Sequence, residues 1–290
     1  MKKFSIIVPA YNVSEYITKA FETIQDQTYK EFEVICVDDC STDDTFSKIK
    51  PFVKKDSRFK LIQHKKNKGP ASARNTALNA ATGYYIVFID PDDYIVPNAL
   101  EKIYKTFEKS GVDSVWYDAR VLTGDRLESY ANTELTSDGI YDVTPENIIN
   151  LGHFVWNKAY KRSKIEKYNF RFPEGTSFED AEFCFMVHTK IKKIYFLTDF
   201  LYVYRWRENS IIRESFKGNI KESDAFKIIR NLYKYLKENK LFEKYKYSLL
   251  GLLGISMHFY CYPEKYENVI YESLKTLKDI NFPEDYKTTK

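Results

Sequence analysis

The chain has 290 residues, of which 43% are hydrophobic and 30% charged, and its formal net charge is +4. The composition is that of a globular protein, and the chain is long enough for one large domain or for one domain with an appendage. The mild charge makes no case for nucleic-acid binding. The four scattered histidines show no HxxxH or HExxH spacing, which argues against a zinc site.

Strands and helices alternate over the first 120 residues. Short apolar, β-branched runs predict strands over residues 4–8, 32–37, 59–62, 84–89 and 114–117. Apolar residues at helical spacing predict helices over residues 14–27, 43–54, 70–81 and 97–110, the first with Ser14 as N-cap. This order predicts an α/β fold, in which helices flank a mostly parallel central sheet.

The alternation stops after Tyr117. Irregular strands and loops are expected over residues 121–145, a helix over 177–190, a strand over 201–206, and helices from about 216 onward. The sequence therefore predicts a domain over residues 1–215, in which 1–120 and 121–215 are two halves, and a helical C-terminal extension over 216–290.

The extension is basic and aromatic. Residues 216–290 contain 14 Lys or Arg against 10 Asp or Glu, together with 14 Phe or Tyr. Such a segment suits peripheral contact with an anionic membrane surface. The alternative is a helical cap with a solvated lysine-rich face.

The sequence also bears on localisation. The longest apolar stretch, residues 248–262, is too short to span a bilayer. No signal peptide precedes the first strand, and four cysteines without a CxxC spacing fit a reducing compartment. We therefore expect a cytoplasmic protein, at most peripheral to the inner face of the membrane.

Polar clusters follow three of the predicted strands. They are residues 9–12, 38–43 and 90–93, and in a parallel sheet these strand ends share one edge, where α/β sheets bind ligands. Each cluster has a simpler explanation, as a turn or a helix cap. Asp90, Asp92 and Asp93 nevertheless repel one another unless a cation lies between them, so a divalent metal carrying a phosphorylated ligand is expected here.

Phosphate binding is expected to depend on that metal and on cations, because the chain contains no GxGxxG or GxxxxGK[ST] loop. Arg74 lies in the first turn or so of a predicted helix, where a cation does not favour the helix dipole. Its position suggests an anionic partner, and the alternative is a surface salt bridge.

The chain resembles the family-2 glycosyltransferases in four stretches that have the family's order and spacing. They are residues 5–12 (SIIVPAYN), 37–43 (VDDCSTD), 67–75 (NKGPASARN) and 88–93 (FIDPDD). The resemblance is strong over residues 1–120 and weaker over 150–215. It implies the glycosyltransferase-A fold of nucleotide-diphospho-sugar transferases, with 1–120 as the nucleotide-binding half and 121–215 as the acceptor half.

The resemblance also implies roles for the matching residues. The nucleotide, commonly through uracil, would contact Pro9, Tyr11, Asn12, Asp39 and Arg74. Asp90 and Asp92 match the family's DxD pair on Mn²⁺ or Mg²⁺, with Asp90 near the ribose and Asp92 on the metal that bridges the diphosphate. Asp93 is expected to be structural. Cys40 departs from the family's pattern, which more often has glycine there.

In the second half, Glu179 and Asp180 open a predicted helix at the distance from the DxD pair where the family has its catalytic base. The resemblance implies Asp180 as the base and Glu179 as its neighbour in the acceptor pocket, and the alternative is an exchange of these two roles. The simpler explanation is that acids at a helix start stabilise the helix dipole.

Two further stretches are candidate components of the site. Trp156, Asn157 and Lys158 offer an aromatic ring and polar groups for an acceptor or sugar pocket, and a core tryptophan is the alternative. Arg205 and Arg207 lie at the end of a predicted strand, where alternation puts both on one face and where the family often has a basic loop over the diphosphate. The alternative for the two arginines is a solvated strand face.

We therefore expect a metal-dependent, inverting hexosyltransferase that moves one sugar from a UDP-linked donor to a saccharide hydroxyl. By family analogy, the acceptor belongs to surface polysaccharide or lipid-linked glycan synthesis. The QxxRW motif of processive synthases is absent, which favours single transfers. A catalytically silent nucleotide-sugar-binding or scaffold protein is the first alternative. A sugar-nucleotide pyrophosphorylase is disfavoured, because the loop after the first strand has neither glycine nor a cation.

Overall fold

The structure is a computed structural model that describes residues 2–130, 135–149, 152–207, 222–260, 273 and 275–278. Its described strands are β1 (Phe4–Ala10), β2 (Phe32–Asp38), β3 (Phe59–Gln63), β4 (Tyr85–Phe88), β5 (Tyr94–Ile95), β6 (Ser114–Thr123), β7 (Arg126–Tyr130), β8 (Gly139–Asp142), β9 (Lys158–Lys161) and β10 (Lys193–Arg205). Its described helices are α1 (Ile17–Gln25), α2 (Thr45–Lys55), α3 (Pro70–Ala80), α4 (Ala99–Ser110), α5 (Arg162–Lys167), α6 (Glu179–His188), α7 (Glu222–Glu238) and α8 (Phe242–Tyr260).

The described strands form one sheet in the order β3-β2-β1-β4-β9-β6-β10-β5, with β7 beside β6 and β8 beside β10. Strands β3, β2, β1 and β4 are parallel, because a helix connects each to the next along the chain. Strand β9 runs antiparallel to both β4 and β6. The predicted α/β fold with helices around a central sheet is confirmed. Besides the four parallel strands of the first half, β10 runs parallel to β6.

The two central strands of the parallel half explain the uninterrupted apolar runs of the sequence. All seven residues of β1 and all seven of β2 are buried, as expected for strands covered on both faces. Gly83 allows the chain to enter β4 close to β1, since a Cβ there would lie 2.5 Å from the Phe4 carbonyl carbon. The parallel strands therefore end together at one edge of the sheet.

Some element boundaries differ from those predicted. Helix α1 begins at Ile17, so its N-cap is Tyr16 and not Ser14, and the Ser14 N–H donates to Asp43 Oδ2 over 3.0 Å. Strand β10 begins at Lys193, well before the predicted residue 201. Its register against β6 shifts between Leu197 and Tyr202, and such irregularities hide the alternation of apolar residues.

Contacts divide the chain into two units. The first comprises Met1–Thr144, Asn150–Gly175 and Glu179–Arg207, and the second comprises Pro145–Ile149, Thr176–Phe178 and Glu208–Lys290. The predicted boundary at residue 215 lies outside the described residues. In the second unit, helices α7 and α8 bury apolar side chains that include Phe226, Leu232 and Leu249. Among the described residues, none of the helices has the length and hydropathy needed to cross a membrane.

Candidate active site

The loops after β1 and β2 are joined by the side chain of Asn12. The Thr42 N–H donates to Asn12 Oδ1 over 2.8 Å, and Asn12 Nδ2 donates to Thr42 Oγ1 over 3.2 Å. Asn12 has a φ of 50°, a left-handed conformation that asparagine tolerates well. Pro9 lies within β1, and the neighbouring Tyr11 is 44% exposed, so its ring is available to a ligand.

Asp39 is a buried anchor for the loop that precedes α3. Its carboxylate accepts hydrogen bonds from the Lys68 N–H (3.0 Å) and the Gly69 N–H (2.7 Å), and His64 Nδ1 lies 2.6 Å from its Oδ1. Gly69 has a φ of 86°, which favours glycine. Cys40 also has a positive φ, of 63°, so the position where the family more often has glycine is left-handed in this chain.

Asp93 is the most buried of the three acids that follow β4. It accepts hydrogen bonds from the Tyr202 hydroxyl and from the Arg205 N–H, both over 2.7 Å. Burial, together with the charges of Asp92 and Asp90, holds the pKa of Asp93 well above its ordinary value. These contacts tie the loop after β4 to the end of β10.

Asp92 forms an ion pair with Arg207 through its Oδ2. Burial raises the pKa of Asp92 despite the attraction of Arg207, and the charge of Asp90 adds to the rise. Arg205 donates from Nε to the Asp92 carbonyl oxygen over 2.9 Å. The guanidinium groups of Arg205 and Arg207 lie 5.2 and 4.9 Å from the ring centroid of Tyr16, so both arginines lie at the acidic loop. Their contact with a diphosphate stays a prediction.

Arg74 connects the acids after β4 to the acids at the start of α6. Its guanidinium donates to Asp90 Oδ1 over 2.8 Å and forms a second ion pair with Glu179 Oε1. Burial disfavours the charge of Arg74, but the Asp90 and Glu179 carboxylates outweigh that effect and raise its pKa. The surface salt bridge considered for Arg74 is therefore wrong, since the side chain is buried between two carboxylates.

Glu179 and Asp180 are adjacent, but their surroundings differ. Arg74 neutralises Glu179, whereas no ion pair reaches Asp180 within the described part of the chain. Burial and, to a smaller extent, the charge of Glu179 raise the pKa of Asp180, Arg74 opposes the rise in part, and the net result is a pKa of about 7. A carboxyl group with a pKa near neutrality is suited to accept a proton.

Trp156, Asn157 and Lys158 lie in the core. Trp156 is 3% exposed, and its ring stacks on Tyr202 with centroids 4.7 Å apart. Lys158 donates to the Phe154 carbonyl and to Asn157 Oδ1, each over 2.7 Å, and burial lowers its pKa to about 8. This arrangement is the one that the core alternative predicts, because little of the Trp156 ring remains for a sugar.

The structure adds residues that the sequence reasoning missed. Tyr16 lies under two arginines, Tyr202 supports the acidic loop, and His64 contacts Asp39. In the sequence, Tyr16 belongs to the apolar face of a helix and Tyr202 to an aromatic strand. Only their proximity to charged groups in the folded chain distinguishes these two tyrosines from ordinary core residues.

The chain is similar to known proteins over most of its length. A family model described as glycosyl transferase family 2 matches residues 5–190. A relative named uncharacterized glycosyltransferase EpsJ, from Bacillus subtilis strain 168, is 31% identical over 227 residues, which are 75% of this chain and 65% of that relative. The chain thus matches slightly less than two thirds of the relative's length.

Solved structures share the fold. The structure of S. aureus TarS residues 1–349 in complex with UDP-GlcNAc has a TM-score of 0.72 at 23% identity, covering 96% of this chain and 89% of that one. The mannosyltransferase PcManGT from Pyrobaculum calidifontis, in complex with GDP-Man and Mn²⁺, has a TM-score of 0.59 at 17% identity, covering 95% of this chain and 74% of that one.

Proposed function

The chain belongs to glycosyl transferase family 2, and we propose that it transfers one sugar from a UDP-linked donor to a saccharide hydroxyl with inversion at the anomeric carbon. One observation supports this proposal above the others. Arg74 connects a donor-side acid, Asp90, to an acceptor-side pair in which Asp180 alone has no ion-pair partner among the described residues and has a pKa of about 7. Such a site has the two halves that a glycosyl transfer requires.

The donor nucleotide is proposed to bind at the ends of β1 and β2. The exposed ring of Tyr11 and the loop joined by Asn12 support a base-binding role for this edge. Pro9 and Asp39 complete the proposed base site, where Asp39 also orders the loop before α3. Arg74 would lie beside the nucleotide through its contact with Asp90. UDP is the proposed nucleotide because TarS binds UDP-GlcNAc.

A divalent cation, Mn²⁺ or Mg²⁺, is proposed to bind at Asp90 and Asp92. The described residues contain no preformed group of three or more His, Cys, Asp or Glu that could hold a metal ion. Mg²⁺ is commonly held by one or two carboxylates together with substrate phosphates, so two acids suffice. The ion pairs with Arg74 and Arg207 engage one oxygen of each carboxylate.

The electrostatics of the site favour an added cation. The site contains more carboxyl groups than guanidinium groups: five acids (Asp90, Asp92, Asp93, Glu179 and Asp180) and three arginines (Arg74, Arg205 and Arg207). Burial raises the pKa of Asp92. When bound, a divalent cation supplies charge neutralisation for the leaving diphosphate. Arg205 and Arg207 are proposed to contact the same diphosphate, because guanidinium groups match phosphate oxygens.

Asp180 is proposed as the general base. It accepts the proton of the acceptor hydroxyl as that oxygen attacks the anomeric carbon from the face opposite the departing diphosphate. Glu179 is paired with Arg74, and its charge raises the pKa of Asp180. This difference favours Asp180 over Glu179 for the base, a choice that the sequence left open.

The acceptor is proposed to be a growing surface polysaccharide or a lipid-linked glycan on the cytoplasmic side of the membrane. In the second unit, the exposed ring of Tyr247 lies near Lys246 on α8, and such a pair suits an anionic lipid surface. Binding of the chain to vesicles that contain anionic lipids, lost at high salt, would support this contact.

Thermal shifts test the donor half of the proposal. UDP and UDP-sugars with Mn²⁺ should stabilise the protein in proportion to their occupancy, more than GDP compounds do, and a chelator should remove most of the shift. Asp92→Asn should lose the metal-dependent part, whereas Asp199→Asn, a change at a partly exposed aspartate paired with Lys102, should not. The absence of a shift with any nucleotide would contradict the proposal.

Hydrolysis separates an enzyme from a silent binder. With Mn²⁺ and no acceptor, the enzyme should hydrolyse UDP-sugar slowly, and the Asp180→Asn variant should bind the donor with near-normal affinity. A wild-type protein that binds UDP-sugar but neither hydrolyses nor transfers it would support the scaffold alternative.

A further inference from the structure

Arg207 is paired with the same carboxylate, that of Asp92, that is proposed to bind the cation. Its guanidinium forms an ion pair with Asp92 Oδ2. The two side chains are 22% and 13% exposed, so water screens the pair only in part. The Arg207 Nε is buried and has no hydrogen-bond partner among the described residues, which shows that Arg207 is not fully satisfied by its contacts in this state.

A guanidinium and a divalent cation on one carboxylate repel each other strongly at such short range. We propose that Arg207 is a resident counter-ion, which holds Asp92 before the cation binds and leaves it when the cation and diphosphate arrive. The inference rests on the proposed function and adds a switching role for one residue.

Arg205 shows why the exchange is confined to Arg207. The Arg205 Nε donates to the backbone carbonyl oxygen of Asp92, which is not a carboxylate oxygen. The backbone N–H of Arg205 donates to the Asp93 carboxylate. Its guanidinium also lies 5.7 Å from the Tyr94 ring centroid. A cation on the Asp92 carboxylate competes with none of these contacts, so Arg205 stays in place while Arg207 moves.

The shared ring of Tyr16 offers Arg207 a second support. The Arg207 guanidinium lies 4.9 Å from the Tyr16 ring centroid, and a cation over a tyrosine face is attracted by the ring. Arg207 can therefore leave Asp92 and remain at the same edge of the sheet, where it would meet the diphosphate. Tyr16 becomes a positioning residue for this movement.

Mn²⁺ binding without nucleotide tests the competition directly. Electron paramagnetic resonance of free Mn²⁺ gives the affinity of the full chain and of its variants. Arg207→Gln should bind Mn²⁺ about tenfold more tightly than the wild type, because a repelling charge has been removed. Asp92→Asn should lose the binding. Arg205→Gln should not show the gain, and Arg171→Gln, which removes an arginine beside Glu166 in the same unit, should match the wild type.

Chemical modification tests the movement in the wild-type protein and does not depend on a variant that folds. Phenylglyoxal, which reacts with exposed guanidinium groups, should label Arg207 several-fold faster after Mn²⁺ is added, and UDP with Mn²⁺ should protect it again. Peptide mass spectrometry distinguishes Arg207 from Arg205, whose labelling rate should not change with Mn²⁺.

The results separate this inference from the proposed function. If UDP with Mn²⁺ stabilises the wild type but Arg207→Gln binds Mn²⁺ no more tightly, the exchange is wrong and the function stands. Arg207 labelling that Mn²⁺ leaves unchanged would have the same meaning. If neither Mn²⁺ nor UDP binds to any variant, Arg207→Gln included, both the proposed function and the exchange are wrong.

Discussion

The acids after β4 and the acids at the start of α6 are chemically alike, but the fold treats them differently. After β4, Asp92 is paired with Arg207, and Asp93 accepts hydrogen bonds from the Tyr202 hydroxyl and the Arg205 N–H. At α6, Asp180 has no ion-pair partner within the described part of the chain, and its pKa is about 7. The same type of residue thus becomes a side chain held by its partners or a proton acceptor, according to the groups that reach it.

Arg74 is the residue that the two clusters share. One guanidinium contacts Asp90 and Glu179, which are separated by almost ninety positions in the chain. Because Arg74 neutralises the neighbour of Asp180 and not Asp180 itself, it leaves the proton-accepting role to Asp180. The following changes either remove this contrast or make it measurable.

Asp180→Asn should have the largest effect. A positioned general base contributes about 10²–10⁴-fold to a rate, so transfer should fall by that factor while UDP affinity stays near normal. Burial disfavours the charged form of Asp180, so at pH 8 the variant should melt no lower than the wild type. Steady-state kinetics and thermal melts measure both.

The control for that change is Asp199→Asn, at a partly exposed aspartate paired with Lys102 on the same unit. Its transfer rate should match the wild type. If Asp180→Asn keeps a rate within tenfold of the wild type, Asp180 is not the base, and Glu179→Gln becomes the next variant to measure.

Arg74→Gln should have the next largest effect. Removing one partner of a buried ion pair costs about 3–5 kcal/mol, and Arg74 serves two carboxylates, so the free energy of unfolding should fall by at least about 3 kcal/mol. Urea denaturation at neutral pH measures it. Glu179→Gln in the same chain should recover part of the loss, and Arg171→Gln should lower the stability by less than about 1 kcal/mol. If Arg74→Gln also lowers the free energy of unfolding by less than about 1 kcal/mol, the buried ion pairs of Arg74 with Asp90 and Glu179 do not stabilise the fold as proposed.

The sequence predicted the parallel half of the fold well, because its strands are short apolar runs that end at polar clusters. The positions of β1 to β4 and of the acids after β4 follow directly from that pattern. Strand β10 was predicted too short, because its bulges and the polar residues Thr198 and Asp199 interrupt the alternation. Strand β9 carries a lysine that is fully buried, and a lysine seldom predicts burial.

The partners in the site could not be predicted from the sequence. Arg74 and Glu179 are 105 positions apart, and the residues around each of them do not predict their contact. Trp156 shows the opposite difficulty, since an aromatic ring beside polar groups has the same pattern in a sugar pocket and in a core. Only packing separates these alternatives, and in the structure Tyr202 and Phe154 stack against Trp156.

The pH dependence of the transfer rate should show that Asp180, unlike the paired acids after β4, accepts a proton, and its effect on the rate should be smaller than that of the substitutions above. A base with a pKa of about 7 must be deprotonated to act, so kcat/KM should fall about tenfold per pH unit below pH 7 and level off above it. Arg74 lowers the pKa of Asp180, so in Arg74→Gln the fall should begin at a higher pH. A profile that stays flat from pH 5 to 8 (about two units below the pKa to one above) would contradict the assignment.

Asp93→Asn should have the smallest effect, because Asp93 is a held side chain and not a ligand. Burial keeps its pKa well above the ordinary value, so a neutral amide resembles the state that the fold favours. The amide oxygen can accept the Arg205 N–H, and the Tyr202 hydroxyl can rotate to accept from the amide nitrogen. We expect a stability loss of about 1 kcal/mol and Mn²⁺ affinity within about threefold of the wild type, whereas Asp92→Asn loses Mn²⁺ binding. If Asp93→Asn loses Mn²⁺ binding as well, all three acids after β4 belong to the cation site, and the division between held and reactive carboxylates must be drawn within α6 alone.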